Sequence, residues 1–430
     1  MNVGNACFSV NSVSDIKLAF SLSGEPFVVF RDWEYMDKTT VMKFDGSNWI
    51  NIGNAGFSIG AVRCPSLAFS PSGEPYVAYC DAGLSYKAIV MKFDGINWVN
   101  VGIPGFSAGG ADYTNIAFSP SGEPYVAFSD SVNSYKVTVM KFDNTNWVVV
   151  GSPGFSAGIA EFVSLALSPS GEPYVAYRDR GNGCKATVKK FDLTGWINVG
   201  TSGFSSSGVL FTSLAISPSG QPYVAYRDDS AWTYKATIMT FNGIQWQYVG
   251  PPRFTDGATG YESLAINSNG ELYLAFQDGG HAGKASLMKF TGTNWIYVGN
   301  GGFSNEEALY TSLAFSQAGV PFVAYQDLGN YTWKATVMKY DSVAVGIEES
   351  HNSLFTLKPN PTSNKTIIDF TNDNNITKDI ELFNIIGDQL LKVHTNENKI
   401  SLDLEEYKSG VYLIKVKMIN STFSGKIFKN

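Results

Sequence analysis

Seven short segments of this chain are polar or glycine-rich, and five of them add aromatic rings: WEYM, AGLSY, SVNSY, RGNGC, DSAWTY, GGHAG and LGNYTW. They hold Trp33, Tyr35, Tyr86, Tyr135, Trp232, Tyr234, Tyr331 and Trp333. Ring faces beside hydrogen-bonding groups suit carbohydrates, because sugar C–H faces stack while hydroxyls find donors and acceptors. The plainer alternative is that these rings pack over the edges of their own loops. A slot just before each segment varies: Arg31, Cys80, Ser129, Arg178, Arg227, Gln277 and Gln326. Arg31, Arg178 and Arg227 therefore join the ring residues as expected ligand-binding groups.

Each segment is also bracketed by an acid and a base. Asp32, Asp81, Asp130, Asp179, Asp228, Asp278 and Asp327 precede Lys38, Lys87, Lys136, Lys185, Lys235, Lys284 and Lys334 by six or seven residues. The simplest expectation is a cross-strand ion pair at a hairpin mouth, with a ring of ligand-facing carboxylates as the functional alternative. Catalytic chemistry is poorly supplied. His281 is the lone histidine before residue 350, so neither a Ser-His-Asp triad nor a histidine metal site is expected. Glutamate is scarce in the seven segments, although a glycoside hydrolase needs two carboxylates. The expectation is a protein without catalytic residues, metal or cofactor, and not an enzyme.

A formal charge of −7 gives no basic footprint for nucleic acid. No apolar run reaches the eighteen or so residues of a membrane span. Cys7, Cys64, Cys80 and Cys184 form no CxxC pair; free thiols are expected, with one distant disulfide as the alternative.

The segments recur because the chain repeats. The turn SxSGxP and its variants place Gly24, Gly73, Gly122, Gly171, Gly220, Gly270 and Gly319 at intervals of 49, 49, 49, 49, 50 and 49 residues. The copy beginning at Ser66 contains four β-like runs, SLAFS, PYVAY, KAIVMKF and WVNVG, separated by PSGE, a ring-bearing segment and DGIN. Four antiparallel strands repeated about every 50 residues predict the blades of a β-propeller. Trp49, Trp98, Trp147, Trp196, Trp246 and Trp295 hold one repeated slot, and Phe57, Phe106, Phe155, Phe204, Phe254 and Phe303 another, as packing between blades requires. The seventh copy stops before its Trp-Val-Gly strand, while Asn2 to Ser9 matches Asn51 to Ser58. The reading is an all-β, seven-bladed propeller over residues 1–342, closed by its N-terminal strand. Met1 falls one place after a repeat tryptophan, and residues 1–20 read as no signal peptide. We expect that tryptophan and a signal peptide upstream.

WD-repeat propellers are similarly closed, although this chain lacks their Gly-His and Trp-Asp signature. Three arginines in one slot resemble the carboxylate grip of sialidase-like propellers. The run KFDGINW lacks the Asp-box spacing, however, and the first, fourth and fifth copies are not contiguous.

Residues 343–353 read as a linker. Beyond it, TIIDF, DIELFN, QLLKVH, KISLDL, GVYLIKVK and SGKIFK predict a small immunoglobulin-like β-sandwich over 354–430. Leu357-Lys358-Pro359-Asn360-Pro361, ELFNIIGDQLL and SGVYLIKVK, closing on GKIFKN, resemble the type A sorting domain of type IX secretion cargo in Bacteroidota. Lys358 stands where that family more often has an aromatic. The resemblance implies export, contact with the secretion machinery and a secreted or outer-surface location. The combined expectation is a monomeric binding propeller whose variable loop face takes a glycan or, alternatively, a surface protein.

Overall fold

The computed structural model describes residues 1–329, 332–340, 355–370, 377–384, 389–418 and 421–429, with side chains at 231 and 421–424 left aside. The expected linker at 343–353 lies outside them. Two compact units divide the chain, Met1–Asp341 and Ser342–Asn430. Both are all-β and antiparallel.

The larger unit is a series of repeated, propeller-like blades. In the first, β1 (Val13–Phe20), β2 (Pro26–Asp32), β3 (Lys38–Phe44) and β4 (Trp49–Asn51) lie side by side in chain order. Five further four-stranded sheets follow the same plan, and a three-stranded sheet ends at Lys339. Each blade's first strand packs against the first strand of the next, and β1 packs against Ala308–Phe315 of the three-stranded sheet. All these first strands border one central cavity.

The repeated residues account for this arrangement. In the turn after the first strand, the Ser70 Oγ accepts from Glu74 N at 3.1 Å, and Gly73 takes a φ of +90° that a side chain would resist. The second strands are buried on both faces, as Val77 to Cys80 show, because neighbouring blades cover them. Trp98 stacks on Phe57 with centroids 4.7 Å apart and donates its indole N–H to Ile52 O at 2.8 Å. Its fellows repeat that bond in every four-stranded sheet. Gly53 lets Trp98 come this close, since a Cβ there would stand 3.0 Å from the indole.

The N-terminal segment lies along the three-stranded sheet. Asn2 bridges Met338, Val3 N donates to Val337 O at 2.9 Å and Phe8 N to Ala335 O at 2.9 Å. Phe8 stacks on Trp49 at 4.4 Å, and Trp49 donates to Val3 O at 2.8 Å. The segment thus makes the contacts that Ile52 and Phe57 make one repeat later.

The smaller unit is a two-sheet sandwich. Phe355–Lys358, Lys365–Phe370 and Lys399–Asp403 form one sheet; Lys378–Phe383, Gln389–Thr395, Gly410–Met418 and Ser421–Lys429 form the other. Ile368, Phe370 and Leu402 from the first meet Ile380, Leu382, Ile414 and Val416 from the second in one core. Phe355–Lys358 is an additional strand beyond the expected six. Among the described residues no helix is long and apolar enough to cross a membrane.

Candidate functional site

Two ends of each blade differ in what they offer. At one end the short repeated turns are held by their own hydrogen bonds and by surface pairs such as Lys43–Glu25 and Lys92–Glu74, each 2.8 Å. At the other, the variable segments of the six four-stranded blades make single 3-10 turns after the second strand. The acids there do not pair with the lysines. Asp32 and Lys38 are register partners, but the Asp32 carboxylate turns inward, accepting from Glu34 N at 3.1 Å and from Thr40 Oγ1 at 2.8 Å. Asp81 accepts from Gly83 N and Gly60 N, both at 2.8 Å. All seven acids are buried; Asp32, Asp81, Asp130, Asp179 and Asp278 cap the 3-10 turns, while Asp228 and Asp327 accept from Ser230 N and Gly329 N, so they do not form an exposed ligand-facing ring. No ion pair joins these acids to those lysines among the described residues. The carboxylate bonds instead to backbone N–H groups of its own turn, which satisfies donors that would otherwise be orphaned.

The segment residue just before each lysine is tied to the head of a neighbouring inner strand. Its carbonyl takes the first N–H of the next blade's inner strand: Tyr86 O from Ala111 at 2.8 Å, Tyr135 O from Ala160 at 2.9 Å, Tyr234 O from Thr259 at 2.7 Å and Trp333 O from Val13 at 2.6 Å. Tyr86, Tyr135, Tyr234 and Trp333 thereby share one circle. Trp33 opens its turn beside Ser12 at the start of β1, its N–H 3.1 Å from Ser12 O. Trp232 is 83% exposed, with its ring edge-on to Tyr234 at 6.3 Å. Tyr35 instead lies over Gly56, in the passage to the next blade, where a Cβ would come within 2.5 Å of it. Tyr331 lies outside the described residues.

The arginines are each committed to an acid. Arg31 pairs with Asp37 at 2.8 Å, Arg178 with Glu161, and Arg227 lies 3.6 Å from Asp229. Arg227 also covers Phe211 and Tyr234, at 5.2 and 4.9 Å. Arg63, outside the expected set, lies over Tyr86 at 4.4 Å.

Below this circle lies a feature the sequence reading missed. Each inner strand carries a register shift. One residue there has a positive φ of 49–56°: Asp15, Cys64, Tyr113, Phe162, Phe211, Tyr261 and Tyr310. A non-glycine residue in this conformation costs about 1–2 kcal/mol, and such bulges re-aim a side chain. Here they face the central cavity. Tyr113, Phe162, Phe211, Tyr261 and Tyr310 form a continuous arc, with successive centroids 5.3, 4.9, 4.9 and 4.7 Å apart. Asp15 and Cys64 occupy the remaining sector, beside Lys17. The available signal was a slot nine residues before each turn glycine that varies within an otherwise uniform strand.

Electrostatics mark the same cavity. Burial raises the Asp15 carboxyl, against the pull of Lys17, Arg31 and Arg63. Lys17 opens to the cavity yet is ringed by protein, and this desolvation lowers its pKa. Burial pushes the Cys64 thiol up to about 12, which makes it a poor nucleophile. Glu262, in the wall between two inner strands, is raised to about 7 by burial. One oxygen accepts from Thr259 Oγ1 at 2.5 Å; the other is buried without a donor. The four cysteines are free thiols.

Residues 356–430 match the secretion system C-terminal sorting domain. The match implies export, interaction with the type IX machinery, and a secreted or outer-surface location. A comparison with curated proteins finds no match. Among solved structures, an ulvan lyase of a polysaccharide lyase family is 12% identical, over 77% of this chain and 94% of that one, with a TM-score of 0.51. A fungal alcohol oxidase with bound copper is 11% identical over 100% of both chains, also at 0.51. An α-L-arabinanase from Penicillium chrysogenum is 14% identical over 65% and 93%, at 0.43. At such identities the likeness to the first two bears on the fold alone.

Proposed function

We propose that this protein is an exported carbohydrate-binding propeller without catalytic activity. In this reading its seven blades are closed by residues 2–9, and it works as a monomer that takes glycan at the loop end of the channel. The observation that carries the proposal is a division among the aromatics. Frame tryptophans such as Trp98 are about nine-tenths buried, whereas Trp33 and Trp232 are 52% and 83% exposed and stand where the repeat does not require them. Exposed indoles on the same loops as Tyr35 and Tyr234 offer stacking faces and a phenol hydroxyl in the combination sugars use. Commitment of Arg31, Arg178 and Arg227 to their own acids argues against a three-arginine grip on a ligand carboxylate.

Binding of the full chain to a panel of immobilised glycans tests the proposal, with a panel of surface proteins in parallel. Retention of a glycan that weakens on replacing Trp33 or Trp232 supports it. Retention of proteins alone would favour an adhesion scaffold.

A second reading has one observation behind it. Asp15 and Glu262 line the same cavity, and a carboxyl titrating near 7 suits a general acid. Release of nitrophenol from aryl glycosides, abolished by Glu262→Gln, would establish a glycosidase in place of a binding protein.

A further inference from the structure

We propose that the cavity on the channel axis is a one-sugar pocket, which takes a neutral terminal ring of the glycan end-on. This rests on the carbohydrate reading and adds where the chain end goes and what kind of ring it is.

Size sets the first limit. The cavity holds about 200 Å³. A cavity of about 150 Å³ takes a benzene-sized ring, so there is room for one six-membered ring with its substituents and not for two. An extended chain lying across the loops would not use it; a chain end would.

The walls set the second. Five aromatic rings line one side in unbroken contact, from Tyr113 round to Tyr310. The remaining sector carries Asp15 and Lys17, two residues apart on one strand. A ligand with an apolar face and a polar edge fits this division, and a pyranose has both. The polar edge offers an acceptor and a donor together, and their opposite charges offset one another. That favours hydroxyl groups over a net anion or cation.

Glu262 is the third and independent observation. In three other blades the corresponding slot is threonine, whose hydroxyl bonds to the bulge carbonyl of the preceding blade: Thr114 to Cys64 O, Thr212 to Phe162 O and Thr311 to Tyr261 O. Glu262 breaks the pattern. It is 7% exposed and borders the cavity, and one of its oxygens has no hydrogen-bond partner. A buried polar atom left unpaired costs about 1–3 kcal/mol. A sugar hydroxyl, which both donates and accepts, would supply the missing partner in either protonation state of the carboxyl.

The test is calorimetric titration of the full chain with methyl glycosides of glucose, galactose, mannose and fucose, with choline and glucuronate as charged comparators. Two variants probe the pocket without disturbing the frame. Cys64→Tyr adds a ring that Tyr113, Tyr261 and Tyr310 already carry in the same slot and backbone conformation; Glu262→Gln keeps shape. At least one neutral methyl glycoside should bind, more than tenfold weaker in each variant. Binding of a charged comparator alone would overturn the ligand class. Glycan binding that is sensitive to Trp33 and Trp232 but indifferent to Cys64→Tyr would overturn the pocket and leave the carbohydrate reading standing. If neither methyl glycosides nor panel glycans bind, both fall together.

Discussion

Tyr261 and Tyr310 meet across neighbouring blades with ring centroids 4.7 Å apart and planes inclined at 47°. Three more pairs repeat the inclination, at 44–54°. Packing between blades and the lining of the cavity are therefore one structure: the bulge that turns each ring inward also places it against its neighbour.

Residues 2–9 should behave as a strand of the last blade. Deleting them removes the Val3 and Phe8 backbone bonds and bares Trp49. We expect a lower melting temperature and aggregation through the exposed edge. Phe8→Ala, which loses the stack alone, should cost about 1–3 kcal/mol in urea unfolding. A monodisperse deletion variant with an unchanged melting temperature would contradict the closure.

Glu262 should make stability fall as pH rises. Its carboxyl is held at about 7 in the folded chain against an ordinary 4.5. The native state therefore binds the extra proton between those values, and its contribution is complete below about 4.5. That contribution is lost on passing 7, for a total of order 3 kcal/mol. Denaturant titrations at pH 4.5, 6 and 8 on the chain and on Glu262→Gln should show this slope in the former and its loss in the latter. Parallel pH profiles would place the carboxyl in a solvated setting.

The tail should act as an address. In a host with the type IX machinery and a signal peptide supplied, the full chain should reach the medium or the cell surface. Removal of residues 356–430 should leave the propeller unit folded in the periplasm, as read by fractionation and surface proteolysis. Equal surface display without the tail would contradict that role.

The frame was legible because its determinants are local and repeated. Gly73 at a positive φ, Trp98 at a fixed distance from Phe57 and the four β-like runs all recur with the period of the chain. The cavity was not, for two physical reasons. Its lining residues vary from Asp15 to Tyr310 because they answer to a shared space and not to the core, so the period hides them. They also lie on bulges, where a register shift breaks the alternation that tells which way a side chain faces. The Asp32–Lys38 spacing correctly placed two residues opposite each other. Which partner the carboxylate chose depended on the backbone N–H of Glu34, visible only once the turn was built. In the smaller unit, the strand Phe355–Lys358 was hidden by a motif rich in proline beside it.

The most direct measurement is the affinity of the full chain for a glycan retained from the panel, taken beside thermal melts of Trp33→Ala, Trp232→Ala, Trp333→Ala and Trp98→Ala. Trp98 is 8% exposed, so its loss should cost about 3–5 kcal/mol of stability. The exposed Trp33 and Trp232 should change stability by about 0.5 kcal/mol or less, and half-buried Trp333 should change it less than Trp98 does. The account predicts that these three loop variants melt near the parent and bind the glycan several-fold to tenfold more weakly. Loop variants that melt far below the parent while binding persists would contradict it.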